Sequence, residues 1–269
     1  MLKTIEQYLL QIKTSKPLIL NITNVVTMDF MANSLLAIGA APLMSVMDAE
    51  LEELITIADA VTINIGTLDD AFIKRAHLAA TLTKKLHKPL ILDPVGSGAT
   101  SIRTQTARNL LPFASIVKGN ASEIMSLLSD DSKTKGVEAT HATIDAKVSA
   151  KHIALSHQCT VVVSGKQDLI TDGKRCQTIP FGSALMPHVT GMGCTLTSVI
   201  AAFHAINPSA FESSYIATTY YGLCGQYAET QNPWPGSFKA AFIDALYEAN
   251  VFGMMDKCSI NHSEACYDV

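Results

Sequence analysis

The sequence predicts an α/β fold in which helices flank a central, mostly parallel sheet on both faces. Three observations support this prediction. Short runs rich in Val, Ile and Leu alternate with longer stretches of helical periodicity, which is the order that βαβ units produce. The chain has 269 residues, of which 48% are hydrophobic, enough to bury the core of one large α/β domain. Finally, no linker rich in Pro, Gly or Ser interrupts the alternation.

In the first half of the chain, strands are predicted where an apolar run is bounded by Pro, Asp or Gly, and a helix where a longer periodic stretch follows. The predicted strands are "PLILNI" (17–22), "AVTINI" (60–65) and "PLILD" (89–93). The predicted helices are 29–40, 69–87 and 100–111.

The second half continues the alternation and then becomes helical. "SIVKG" (115–119) predicts a strand, "NASEIMSLL" (120–128) a helix, and "TVVVSG" (160–165) another strand. Residues 168–179 predict a hairpin, because Asp172-Gly173 is typical of a two-residue turn. The chain is then predicted to be helical to about Met255.

We expect residues 1–269 to form one domain, with a tail at 256–269 that lacks periodicity and is loosely held. The formal net charge of −4, without a basic stripe, argues against a nucleic-acid partner. The six cysteines include no C-x-x-C pair, and the N-terminus lacks the apolar region of a signal peptide, so reduced thiols in the cytoplasm are expected. The longest uncharged stretch, 176–211, is interrupted by three prolines and is not predicted to span a membrane.

Two acidic segments follow predicted strands, at the sheet edge where open α/β folds bind ligands. In "LDPVGSGAT" (92–100), Asp93 precedes two glycines, which suits a metal or phosphate site but also an ordinary turn. In "IVKGNASEI" (116–124), Glu123 lies three residues after Asn120, which is equally typical of a helix-capping box. A lysine, Lys118, with two carboxylates is what a magnesium–nucleotide site requires.

Two glycine-containing segments are candidates for binding phosphate. Ser164 and Gly165 end an apolar strand and form either a turn or a phosphate contact. In "VTGMGCTLTSVIAAF" (189–203), glycines open an uncharged helix, although each costs roughly 1 kcal/mol in a helix interior. We expect the free N–H groups at Gly191 and Gly193 to bind an anion, and the helix dipole to lower the pKa of the Cys194 thiol. Alternatively, Cys194 is a small buried residue. The sequence contains no P-loop, zinc-ligand spacing or nucleophile elbow.

Eight short segments, in order and at fitting distances from about Pro17 to Tyr247, resemble the hydroxyethylthiazole kinases of the ribokinase-like superfamily. They are "ITN" (22–24), "ANSLLAIGAAPLM" (32–44), "NIGTLDD" (64–70), "LDPVGSGAT" (92–100), "KGNASEI" (118–124), "VVVSG" (161–165), "GMGC" (191–194) and "PGSF" (235–238). The resemblance implies a ribokinase-like fold, transfer of the γ-phosphoryl group of ATP to the hydroxyl of 4-methyl-5-(2-hydroxyethyl)thiazole in thiamine salvage, dependence on Mg²⁺, and a homotrimer with substrate sites between subunits.

On the substrate side, the resemblance implies that Met44, Gly191 and Asn24 contact the thiazole alcohol. It places Cys194 next to the attacking hydroxyl, where many relatives in the wider superfamily have Asp. "GMGC" stands where "GTGC" is more common in the family.

On the nucleotide side, the resemblance implies that Lys118 and Ser164 bind ATP and that Asp93 and Glu123 surround magnesium. Lys118 stands where Arg is more common, so it offers the compact charge of an ammonium group in place of the planar, two-pronged guanidinium group. Ser164 replaces a Thr and keeps the hydroxyl.

Alternative functions remain open at this level. A hydroxymethylpyrimidine kinase or an ADP-dependent dehydratase of hydrated nicotinamide cofactors would share the fold, and the "ITN" and "APLM" segments favour the thiazole. A non-catalytic ligand-binding protein is opposed by the presence of Asp93, Glu123 and Cys194. A dinucleotide oxidoreductase is disfavoured because "GSGATS" lacks the third glycine of the dinucleotide-binding pattern.

Overall fold

The computed structural model describes residues 1–128, 139–248 and 250–264, with side chains described for 1–128, 146–248 and 250–258. Within these residues the chain forms one eight-stranded sheet with the strand order β2-β1-β3-β4-β5-β6-β7-β8. The first six strands are parallel, and β7 and β8 are antiparallel additions at one edge. The strands are β1 Leu18–Ile22, β2 Ala41–Met44, β3 Ala60–Asn64, β4 Leu90–Asp93, β5 Ile116–Asn120, β6 Thr160–Ser164, β7 Asp168–Thr171 and β8 Cys176–Ile179.

Helices connect the parallel strands and then complete the C-terminal part of the fold. They are α1 Leu2–Ser15, α2 Met28–Ile38, α3 Leu51–Ile57, α4 Asp70–Lys85, α5 Ser101–Leu110, α6 Ala121–Ser126, α7 Ala139–His157, α8 Met192–Ala205, α9 Ala210–Gln231, α10 Pro235–Glu248 and α11 Val251–Glu264. This arrangement confirms the predicted α/β class and the parallel sheet. The predicted loose tail, 256–269, is helical as far as Glu264, and residues 265–269 lie outside the described residues. The assignment of the chain to one domain stays a prediction.

Two hydrophobic cores lie on the two faces of the sheet. Successive strand residues contribute to opposite cores, because side chains alternate along a strand. Ile19 belongs to the same core as Phe203 and Phe242, on the face that α8 and α9 cover. Leu20, the next residue, packs with Ala76 on the face that α4 covers. Burial on both faces explains why these strands are almost continuously apolar.

The fold brings the carboxyl ends of the parallel strands to one edge of the sheet. Asn64 at the end of β3 pairs with Asp93 at the end of β4, and Asn120 at the end of β5 pairs with Ser164 at the end of β6. Helix α8 packs against β1, β3 and β4. Cys194 in its first turn contacts Asn24, which follows β1, so this turn lies over the same edge. None of the helices in the described part of the chain is long and apolar enough to cross a membrane.

Candidate active site

A buried carboxylate, Asp93, lies at the centre of the carboxyl edge. Its Oδ2 accepts hydrogen bonds from Asn64 Nδ2 at 2.8 Å and from Thr197 Oγ1 of α8 at 2.8 Å. Its Oδ1 is buried without a hydrogen-bond partner, and Lys118 Nζ lies 3.9 Å from it. Such an oxygen is costly to leave unpaired, so it marks a position where a cation or a donor is expected to bind.

The charges around Asp93 are coupled. Burial raises its pKa to about 6, the negative charge of Glu123 adds to the rise, and Lys118 opposes it. Burial acts to lower the pKa of Lys118, but the surrounding acids Asp93 and Glu123 raise it above the ordinary value. Lys118 is therefore protonated at neutral pH although its side chain is buried.

Glu123 forms the capping box that the sequence left open as an alternative. Its Oε2 accepts from the Asn120 N–H at 2.8 Å, and the Asn120 side chain accepts from the Glu123 N–H at 2.9 Å. In addition, its Oε1 accepts from the Gly96 N–H at 2.9 Å, which ties the loop after β4 to the start of α6. Glu123 thus holds two strand ends together around Asp93 and Lys118, and each of its carboxylate oxygens keeps a second lone pair.

The start of α8 has the geometry of an anion site. The first hydrogen bond inside the helix runs from the Thr195 N–H to the Gly191 carbonyl at 2.8 Å, so the amides of residues 192–194 have no partner within the helix. Tyr221 Oη donates to the Met192 carbonyl at 2.7 Å and holds this turn in place. A Cβ added at Gly193 would lie 3.1 Å from Lys118 Nζ, so the ammonium group and the free amides converge on the same space.

Cys194 lies on the first turn of the same helix, half-buried, and its Sγ accepts from Asn24 Nδ2 at 3.4 Å. The prediction that the helix start lowers the pKa of this thiol is wrong. Burial raises the pKa, and the negative charge of Asp93 raises it further, against the opposing effect of Lys118. The thiol rather than the thiolate is therefore the form present at neutral pH.

Asn24 connects this thiol to the buried strand ends. Its Oδ1 accepts from the Thr27 N–H and from Thr27 Oγ1, each at 3.1 Å, and its Nδ2 also donates to Asn64 Oδ1 at 2.9 Å. Met44 lies further out, half-buried at the end of the edge strand β2. The next residue, Ser45, lines a cavity of about 350 Å³ together with Thr23. Asn24 therefore belongs to the hydrogen-bonded centre, whereas Met44 lies at its outer side.

A larger cavity, of about 860 Å³, lies at the start of α8 and is lined by Ser164, Gly191, Gly193 and Asp168, among others. Asp168 accepts from the Gly165 N–H at 2.9 Å and fixes the turn after β6. Burial raises the pKa of this carboxyl to about 6.

Two polar residues at this edge were missed from the sequence, where Asp168 was taken as the start of a hairpin and Asn64 as part of the strand 60–65. The available signal was their position, since each stands at a strand end or turn on the carboxyl edge. Within the described residues, no group of three or more His, Cys, Asp or Glu side chains could hold a metal ion.

The chain is similar throughout to one group of proteins. A family model described as the hydroxyethylthiazole kinase family matches residues 9–251. A protein from Chlamydia caviae named hydroxyethylthiazole kinase is 49% identical over 254 residues, which cover 93% of this chain and 96% of that protein. The solved hydroxyethylthiazole kinase structure from Pyrococcus horikoshii OT3 matches with a TM-score of 0.84 and 36% identity, covering 91% of this chain and 93% of that one. A ribokinase-like superfamily protein from Enterococcus faecalis V583 shares the fold, with a TM-score of 0.63 and 16% identity over 91% of this chain and 94% of that one.

Proposed function

Because the chain belongs to the hydroxyethylthiazole kinase family, we propose that it transfers the γ-phosphoryl group of ATP to the hydroxyl of 4-methyl-5-(2-hydroxyethyl)thiazole, a step in thiamine salvage. The protein is a kinase, and the observation that supports its chemistry best is the convergence at the start of α8. There the free amides of residues 192–194 and Lys118 Nζ face the same space, beside the open oxygen of Asp93.

The start of α8 binds the phosphoryl group in transfer. Backbone N–H groups and the positive end of the helix dipole stabilise the negative charge of phosphate oxygens, and glycine at position 193 leaves room for them. Lys118 supplies a full positive charge at the same place. Phosphoryl transfer depends mainly on positioning and charge stabilisation, and these groups are fixed before the substrate arrives. ATP extends from there into the cavity lined by Ser164.

The residues around Asp93 fit a magnesium ion. Mg²⁺ in phosphoryl-transfer sites uses one or two carboxylates, with waters and phosphate oxygens completing the set. Asp93 offers a buried oxygen without a partner, and Glu123 offers a further lone pair on each oxygen, although both already accept backbone N–H groups. Asp93 and Glu123 are the residues that would hold the ion. When bound, the ion neutralises charge on the phosphate groups.

The acceptor alcohol binds on the side of Asn24 and Cys194. The thiol of Cys194 contacts the attacking hydroxyl and orients it toward the phosphoryl group. The loose transition state of phosphoryl transfer requires little early loss of the hydroxyl proton, so a protonated thiol is compatible with this role. Gly191, which lines the larger cavity, contacts the alcohol beside the transferred phosphoryl group. The thioether of Met44 packs against the thiazole ring, as sulfur does against aromatic rings.

We also propose a cytoplasmic homotrimer with sites shared between subunits. Four large apolar side chains at the ends of β1 and β2 are more than 60% exposed, namely Val25, Val26, Val46 and Met47. They lie beside the acceptor side of the site, and clustered exposed apolar residues mark contact surfaces. Light scattering should give about three times the 28.8 kDa of one chain. A stable monomer that is fully active would exclude the trimer and the shared site.

The proposed reaction is tested by measuring ADP release with ATP, Mg²⁺ and a panel of thiazole, pyrimidine and sugar alcohols, with mass spectrometry of the products. We expect the thiazole alcohol to give the highest kcat/KM and a monophosphate product. A higher kcat/KM for hydroxymethylpyrimidine would identify the protein as a hydroxymethylpyrimidine kinase instead. ADP release without a phosphorylated alcohol would show that the alcohol is not the phosphoryl acceptor.

A further inference from the structure

One buried amide, that of Asn64, joins the two halves of the active site. Its Nδ2 donates to Asp93 Oδ2 at 2.8 Å, and its Oδ1 accepts from Asn24 Nδ2 at 2.9 Å. Asn64 is fully buried, and so is Asp93. A single side chain therefore contacts both the carboxylate beside Lys118 and the amide that contacts Cys194.

The hydrogen bonds fix the amide of Asn64 in one orientation. Its Oδ1 accepts a second bond, from the Gly66 N–H at 3.0 Å, so two donors face this oxygen. A reversed amide would turn its N–H₂ group toward those donors and its oxygen toward the carboxylate of Asp93. Gly66 approaches closely because it has no side chain, and a Cβ there would lie 2.9 Å from the Cβ of Asn24 and 3.0 Å from Asn64 Oδ1.

The orientation of the Asn64 amide determines how Asn24 faces the thiol of Cys194. Asn24 Nδ2 is shared between Asn64 Oδ1 and Cys194 Sγ, while the Asn24 oxygen is held by Thr27. With its oxygen held and one of its N–H bonds directed at Asn64, Asn24 presents the other N–H to the sulfur. From this chain we infer that Asn64 is a positioning residue, which orients Cys194 through Asn24 and holds Asp93 at the same time. This inference rests on the function proposed above.

A neighbouring asparagine offers a matched control. Asn21 on β1 is also fully buried, and its Oδ1 accepts from Thr62 Oγ1 at 2.9 Å and from Ser198 Oγ of α8 at 2.8 Å. Asn21 is thus a buried asparagine of the same sheet with side-chain hydrogen bonds of the same kind, but its hydrogen bonds reach neither Asp93 nor Cys194. Replacing Asn21 with Ala measures what the loss of a buried asparagine costs in stability at this edge.

The test is a double-mutant cycle on turnover of the thiazole alcohol, with Asn64→Ala, Cys194→Ala and the double variant, and a parallel cycle with Asn21→Ala. We expect Asn64→Ala to lower kcat by about 10–100-fold, as the loss of a group that orients a site residue does. We expect Cys194→Ala to lower kcat by about 100-fold in the wild type and in Asn21→Ala. In Asn64→Ala it should lower kcat by no more than about 10-fold, because the effects of residues that act as a unit are not additive. Thermal unfolding of each variant checks that the folds are comparable.

The cycle separates the failure of the inference from the failure of the function. Suppose that the wild type phosphorylates the thiazole alcohol and that Cys194→Ala lowers kcat by the same factor in the wild type, in Asn21→Ala and in Asn64→Ala. Asn64 is then a structural residue only. If the wild type does not phosphorylate the alcohol, the proposed function fails, and the role of Asn64 fails with it.

A second variant, Asn64→Asp, keeps the shape of the side chain and serves where Asn64→Ala does not fold. It keeps an oxygen toward Asn24 but replaces the donor to Asp93 with a second carboxylate oxygen, which also adds a like charge beside Asp93. We expect lower turnover than wild type, with Cys194→Ala costing the same factor in this background as in the wild type. Turnover equal to that of the wild type would overturn the inference.

Discussion

The structure predicts how the carboxyl of Asp168 affects the stability of the protein as the pH changes, in both sign and size. Asp168 stands at the start of β7 and lines the cavity that we assign to ATP. Burial raises its pKa from 3.8 to about 6, against the opposing effects of the Gly165 N–H and the charge of Lys118. The folded protein therefore binds a proton at this site more tightly than the unfolded chain does.

Between pH 3.8 and about 6 the folded state holds more protons at Asp168 than the unfolded state, so the free energy of unfolding falls as the pH rises through this window. A rise of the pKa from 3.8 to about 6 corresponds to about 3 kcal/mol. Asp168→Asn cannot ionise, and its oxygen can still accept from the Gly165 N–H. We expect the variant to be more stable than wild type by about 3 kcal/mol at pH 7 and by only about 1 kcal/mol at pH 4.5.

The measurement is urea unfolding followed by far-ultraviolet circular dichroism from pH 4.5 to 8, at one protein concentration because assembly also affects stability. Asp172→Asn is the control with the opposite sign. Burial opposes the charge of Asp172, but bonds from Arg175 and Lys174 lower its pKa overall. The stabilisation from Asp172 is present above the unfolded-state pKa and is lost as the pH falls, so its replacement should destabilise the protein most near neutral pH. A stability gain for Asp168→Asn that does not change with pH would refute the argument.

Three further substitutions test the assigned roles. Glu123→Gln should lower turnover at saturating Mg²⁺ by more than 10-fold, while the lost capping bond costs only about 1 kcal/mol of stability; equal turnover would leave Glu123 with the capping role alone. Met44→Ala should raise the KM for the thiazole alcohol and leave ATP binding unchanged, whereas calorimetry that shows equal losses for both ligands would mark Met44 as a packing residue. Cys194→Ala should lower kcat by about 100-fold with nearly normal ATP affinity, and activity equal to wild type from pH 6 to 9 would show that the thiol does not contact the reacting hydroxyl.

Most of the fold could be predicted from the sequence, because the alternation of apolar strands and periodic helices is a local pattern. Strand β2 was missed, since Ala41–Met44 is short and contains Pro42. Proline is tolerated in that strand because β2 lies at the edge of the sheet, with a neighbour on one side only. Helix α7, Ala139–His157, was missed as well. Its position as the crossover between the parallel strands β5 and β6 could have predicted it.

From the sequence, the site could be predicted only for residues that stand out within a single strand or directly after it. Asp93 and Lys118 stand out because a charged residue directly after or within an apolar strand is unusual. The pKa of the Cys194 thiol was predicted in the wrong direction, because the helix start is visible in the sequence, whereas the burial of the thiol and the neighbouring charge of Asp93 depend on other elements of the fold. Asn64 was missed for the same reason, since its importance lies in contacts with two residues that are distant in sequence.

Glycine stands at positions 191 and 193 at the start of α8 for different physical reasons, and only one of these reasons concerns the phosphate. Gly191 has a φ of 97°, in the left-handed region, and a Cβ there would lie 3.0 Å from Thr27 Cγ2 and 3.1 Å from Phe30 Cδ1. It is required by the backbone and by the start of α2, whether or not a ligand is bound. Gly193 has ordinary helical geometry, and among the described residues outside its own helix the heavy atom that an added Cβ would meet is Lys118 Nζ, at 3.1 Å. Because neither backbone strain nor packing against α2 requires glycine at 193, and the cost of glycine in a helix is roughly 1 kcal/mol, the space in front of the ammonium group is the remaining physical reason for it.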